Sequence, residues 1–280
     1  MSLGIVINSP EGVILAAESR VTLSIKDQNN NIIHVNFDNA TKLLAFNNPH
    51  NYIGVVTYGL AAIGNRTAHS FLPEFEASLP DERISVNEFA RKLSDFFKAQ
   101  WEKSMPKEYT GPDITFVVGG YNVNEPYGSV YIIEIPRKPL PEQRGQAGTF
   151  GITWGGQRDF VDRLIRGYDF TVPDVVYTTL QPEKDKMDLL MKNLNVAEMK
   201  IPLDTMALQD CVDLAIFFIR TTIIAQKLTV GLRGCGGPID VATITRREGL
   251  GYVQKKTVVG EVRNKNDYNN ERLFHSGSDE

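Results

Sequence analysis

Short apolar runs separated by turn residues dominate the start of the chain. Leu3 to Asn8 and Val13 to Ala17 flank Pro10-Glu11-Gly12, which predicts an N-terminal β-hairpin, and Val21 to Ile25 extends it. Ile32 to Phe37 alternates, and Lys42 to Phe46 and Tyr52 to Thr57 read as further strands. The period then lengthens. Ile63, Ala68, Phe71, Leu72 and Phe75 predict a helix over Leu60 to Glu76. Ser85 with Glu88 forms a capping-box signal ahead of a second helix, whose stripe runs from Val86 through Phe89, Ala90, Leu93, Phe96 and Phe97 to Trp101. Ile114 to Gly120, Ser129 to Pro136 and Phe150 to Trp154 return to strand character, with a Pro/Gly/Arg loop over Pro136 to Gly148. Phe160 to Tyr168 opens a helix, Pro182 to Leu194 is a candidate for another inside an unassigned stretch, and Leu203 to Gln226 is strongly periodic. Ile239 to Thr245 and Leu250 to Lys256 close the pattern.

Strands followed by paired helices, twice over, predict an α+β class: a single domain over residues 1–262, with a polar, flexible tail at 263–280. A four-layer α-β-β-α sandwich would bury both helix pairs and both sheets. The composition narrows the function classes. A net charge of −4 shows no basic surplus for nucleic acid. Two cysteines exclude a disulfide scaffold, and the four histidines show no metal-ligand spacing, so neither a metal nor a cofactor is expected. Neither a signal-peptide pattern nor an apolar run long enough for a membrane span is present, which predicts a cytoplasmic protein.

Several segments then become specific in their order. SLGIVINSPEGVILAAESRVT places Ser2, Gly12, Glu18, Arg20 and Thr22 at the spacing of an opening hairpin that proteasome-type β subunits carry. TKLLAF, VVTYGLAAIG, ISVNEFARKLSDFF, DITFVVGGYNVNEPYGSVYII, LQDCVDLAIFFIRTTI and GCGGPIDVATIT follow in the family's order. Over roughly residues 2 to 250 the chain resembles proteasome-type β subunits and their bacterial homologues, within the N-terminal-nucleophile hydrolases.

The resemblance implies a peptidase in which one residue has two jobs. Its hydroxyl attacks the carbonyl, and its free α-amine, with a pKa of about 7.7–8.0, accepts the proton. Ser2 takes that place once Met1 is removed, and Lys42 would favour the deprotonated forms beside it. Glu18 would hold Lys42 where the family has Asp. Gly59 matches the family's oxyanion glycine, and Arg20 and Thr22 fall on the substrate-binding side, where an extended chain adds as a strand. Each residue also has a plainer reading. Lys42 suits an exposed strand edge, Glu18 a surface pair with Arg20, and Gly59 a turn. Lys42→Ala is expected to cost activity more than stability.

Two segments depart from the family. Gly155, in Trp154-Gly155-Gly156-Gln157, stands where the family has a serine, and Leu232 where it has an aspartate; Cys235 replaces a second serine. Cys235 reads as a buried thiol, and Phe89, Phe96, Phe97 and Trp101 as core or subunit contact. The resemblance implies self-assembly into a homo-oligomeric ring, an unfolded polypeptide as substrate, and room for an ATP-dependent unfoldase as partner. A catalytically inactive ring subunit is the alternative; small-molecule amide hydrolysis on a related fold is a weaker third.

Overall fold

The computed structural model describes residues 2–26, 28–29, 31–146 and 148–259. The expected tail at 263–280 lies outside the described residues. In chain order the elements are β1 (Leu3–Asn8), β2 (Val13–Glu18), β3 (Val21–Lys26), β4 (Ile32–Phe37), β5 (Leu43–Ala45), β6 (Ile53–Gly59), α1 (Leu72–Glu76) and α2 (Val86–Ser104). Then come β7 (Ile114–Gly120), β8 (Ser129–Ile135), β9 (Lys138–Gln143), β10 (Gly151–Gly156), α3 (Asp159–Arg166), α4 (Thr171–Leu180), α5 (Lys184–Leu194), α6 (Leu208–Leu228), β11 (Ile239–Thr245) and β12 (Gly249–Gln254).

The described strands form two five-stranded antiparallel sheets, ordered β10-β1-β2-β11-β12 and β5-β6-β7-β8-β9, and a separate ribbon of β3 and β4. β1 shows why the first two sheets meet. Leu3, Ile5 and Ile7 join one cluster with Val212, Ala215 and Phe218 of α6, while Val6 joins another with Val56 and Val117 of the facing sheet. A strand with period two and both faces buried reads as an unbroken apolar run. On the far side, α1 and α2 press Phe75, Phe89 and Phe97 onto Phe116, with edge-to-face ring contacts such as Phe75–Phe89 at 5.4 Å.

The four-layer α-β-β-α expectation is corrected. The described strands pair antiparallel throughout and divide into three sheets, beside six α-helices. The β3–β4 ribbon belongs to neither large sheet, and α4 and α5 bury no residue at all. Apolar spacing is the reason: Val172, Val175, Tyr177, Leu180 and Leu189 are exposed, so those helices cover no sheet.

Three local expectations also change. The helix over Leu60 to Glu76 shrinks to a single 3-10 turn at Ala68–Phe71 followed by α1. Before it, Leu60 N–H donates to Asp113 O, and Ile63 and Arg66 form an isolated bridge, so residues there are spent on turns. β9 lies inside the expected loop; it sits at a sheet edge, where Pro139 and Pro141 are tolerated. Finally, β5 begins one residue after Lys42. The Ser85 cap is present, its Oγ accepting from Glu88 N at 3.1 Å.

Candidate active site around Ser2, Glu18 and Lys42

The β1–β2 hairpin brings its two open ends together: Gly4 faces Ala17, so Glu18 stands beside Leu3, with Ser2 one residue further on. Glu18 is fully buried, and its carboxylate is enclosed by donors. Oε1 accepts from Leu3 N at 3.1 Å, and Oε2 accepts from Arg20 N at 2.7 Å and Gly236 N at 3.0 Å. The Lys42 ammonium completes the set, donating to Glu18 Oε1 and to Arg20 O. Lys42 itself is 5% exposed, and Thr57 N holds its carbonyl at 2.9 Å from β6. A buried ion pair persists only when its remaining donors and acceptors are satisfied, and here backbone amides do that.

Burial pushes the Lys42 ammonium below the ordinary lysine range. Glu18 opposes that shift, and Lys256 adds to it. The result is a desolvated amine, fixed by one carboxylate and one carbonyl, on the wall of a small cavity it shares with Ser2. That cavity is about 20 Å³, lined also by Val21, Thr57, Tyr58 and Ala61. It has room for about one water. Ser2 is buried, and its carbonyl accepts from Gln157 N at 2.7 Å, which ties the chain start to the end of β10.

The remaining expected residues divide. Arg20 does not line the cavity. Its Nη2 donates to Asp38 at 2.7 Å and its Nη1 to Arg233 O at 3.2 Å, so its charge is used in bracing two loops. Asp38 raises the guanidinium above its ordinary range, and Arg20 holds the Asp38 carboxyl below the usual carboxylate value. Thr22 lies on β3 and donates to Asn36 Oδ1 at 2.8 Å; among the described residues β3 pairs only with β4, leaving its other edge open. Gly59 has φ +88°, and a Cβ there would come within 2.2 Å of Asp113 O. The turn reading of Gly59 therefore accounts for the residue on backbone grounds alone.

Sequence reading passed over Tyr58. A Cβ at Gly155 would sit 2.2 Å from Tyr58 Oη, and one at its β-partner Gly4 would sit 2.9 Å from the ring. The phenol thus fills the space that a side chain at position 155 would need. Burial pushes its pKa up, so the hydroxyl stays protonated. The sequence carried no signal for this, because what Tyr58 faces is set by the pairing of the two sheets. Leu232 is exposed, and Cys235 is buried, with its thiol pushed up by burial and then by Glu18; it is a poor thiolate.

No family model matches the chain, and no curated protein matches it. Solved structures do. A Gly-1 mutant of Anbu from Hyphomicrobium sp. strain MC1 superposes with a TM-score of 0.56 at 12% identity, covering 99% of this chain and 95% of that one. The Anbu complex of Pseudomonas aeruginosa, described as a helical assembly, gives 0.56 at 14% identity, with 98% and 93% covered. Anbu from Yersinia bercovieri, described as an ancestral beta-subunit, gives 0.52 at 12%, with 98% and 94% covered. The structural neighbours are therefore Anbu proteins, and at these identities the likeness is one of fold. Among the described residues, no helix is long and apolar enough to cross a membrane.

Proposed function

We propose that this chain is a proteasome-like N-terminal-nucleophile peptidase subunit that hydrolyses peptide bonds through Ser2. The observation that carries the reading is the buried Lys42, paired with Glu18 behind it, on the wall of the cavity that Ser2 lines. A desolvated ammonium is costly to keep, and a place beside a nucleophile gives it a use. In this reading Met1 is removed. The Ser2 amine, or one water in the cavity, takes the hydroxyl proton as Oγ bonds to the carbonyl carbon. Lys42 favours the resulting negative charge. The C–N bond then breaks, the leaving amine takes the proton, and water releases the acyl group. Gly59 N–H would serve the developing oxyanion, and the open edge of β3 at Thr22 would receive an extended substrate.

Self-assembly belongs to the same proposal. The Pseudomonas aeruginosa neighbour is described as a helical assembly, which supports association of this chain with itself, in a ring or a related form. An unfolded polypeptide is the substrate class, delivered by an ATP-dependent unfoldase.

A second reading, a non-catalytic structural subunit, draws on Gly155 and Leu232, where two hydroxyl or carboxyl groups of the family are missing. One experiment separates them. The purified chain is tested for loss of Met1 by intact mass and for hydrolysis of an unfolded protein, beside Ser2→Ala. Hydrolysis by the Met1-free chain and none by Ser2→Ala, with assembly unchanged, supports the first reading. Hydrolysis that persists in Ser2→Ala removes Ser2 as nucleophile, and assembly without any hydrolysis favours the second.

A further inference from the structure

A second cavity, of about 520 Å³, opens between β5 and β12, the edge strands of the two large sheets. That volume falls in the range of small-ligand sites. It is a neighbour of the Ser2 cavity, since Thr41 lines both. Its walls carry His69, Lys255, Lys256 and a single carboxylate, Asp240.

The charges do not cancel. Asp240 is buried and already committed: its Oδ1 accepts from Lys256 N at 2.8 Å, and its Oδ2 from the Lys256 ammonium. Lys255 meets no carboxylate among the described residues; its ammonium lies 4.4 Å from the Tyr252 ring centre. His69, Lys255 and Lys256 line this one cavity, and burial, then Lys256 and Lys255, pull the His69 imidazole below its ordinary range. A half-enclosed cavity with one ammonium paired to a carboxylate, one that meets no carboxylate among the described residues, and an imidazole, backed by apolar side chains, suits an anion on an apolar stem.

We propose that this cavity binds a carboxylate of the substrate chain, an acidic side chain lying near the bond to be cut. The identity of the ligand rests on the peptidase reading; the binding of a carboxylate does not. Lys255 is the principal contact and His69 the second, with Asp240 keeping Lys256 in the wall. A bound carboxylate beside His69 stabilises the imidazolium, so occupancy raises the His69 pKa.

The test uses the full chain carrying Ser2→Ala, so that no turnover intervenes and failure of the nucleophile assignment leaves the result intact. The His69 imidazole resonance, identified by its absence in His69→Gln, is titrated against pH with an acetylated, amidated Ala-Glu peptide, with its Ala-Gln counterpart, and with inorganic phosphate. The Glu peptide should raise the His69 pKa by about one unit, the lower end of what a near opposite charge does. The Gln peptide should leave it unmoved, and Lys255→Gln should weaken the Glu peptide about tenfold, as expected for loss of a charge-assisted contact. Equal shifts from both peptides, or none from the Glu peptide, overturn the proposal. A shift from phosphate alone overturns the assignment to a side-chain carboxylate.

Discussion

Two acid–base pairs leave the same strand end two residues apart and behave as opposites. Glu18–Lys42 is sealed in the interior and bonded on all sides by backbone groups, whereas Arg20–Asp38 reaches the solvent, with its side chains 17% and 42% exposed. The buried pair has lost its hydration and depends on its partners; the exposed pair still has water as an alternative. Motif spacing assigns Glu18, Lys42 and Arg20 all to one site and does not mark Asp38. Burial separates a pair suited to chemistry from a pair that fastens loops.

The sharpest way to break this contrast is Lys42→Ala. It strands the Glu18 carboxylate among three amides in the interior, and such losses cost about 3–5 kcal/mol. The expectation that this variant costs activity more than stability is therefore revised: the unfolding free energy, from urea titration, should fall by that amount as well. Glu18→Gln with Lys42→Met removes both charges and should recover part of the loss, a coupling of up to about 3 kcal/mol. Costs that simply add would mean the two groups do not depend on each other.

Next in size is Gly155→Ala. The new methyl would meet Tyr58 Oη and Cζ at 2.2 and 2.3 Å, in a space closed by the facing sheet. Overpacking of this kind costs about 1–3 kcal/mol. If the phenol is the obstacle, the same substitution made in Tyr58→Leu should cost clearly less by thermal melting. An equal cost in both backgrounds would place the obstruction elsewhere.

Much of the fold was readable because its strands obey period two and its two long helices obey the helical period. β1, β2, β7 and β11 fall within a residue or so of their expected ends. The failures have local causes. Leu60 to Thr67 is apolar enough for a helix, yet Ile63 and Arg66 bond to each other around Gly64 at φ +57°, which leaves no helical ladder there. β9 was hidden by prolines that only an edge strand accepts. Of the site, Ser2, Glu18 and Lys42 could be placed by motif spacing. Their burial could not, nor could Tyr58, because what decides both is the facing sheet, more than forty positions away from Ser2 in the chain. Arg20 is the opposite case. It matched by spacing, and its partner Asp38 turned it away from the cavity.

The smallest expected effect tests that last point. Asp38→Asn should change stability near neutral pH by no more than about 1 kcal/mol, as for other exposed pairs. Its pH dependence is the stronger test. Arg20 lowers the Asp38 pKa from 3.8 in the folded protein, so the folded state binds fewer protons than the unfolded state below that value. The contribution of the pair is complete above 3.8 and disappears as pH falls through the lowered folded value. Unfolding midpoints of the wild type and Asp38→Asn, followed from pH 7 downwards, should therefore differ slightly at first and converge in acid. High salt should shrink the difference, because this pair is exposed to screening. For the Glu18–Lys42 variants the same salt should change little. A salt response of equal size at both sites would erase the distinction between a buried pair and a surface one.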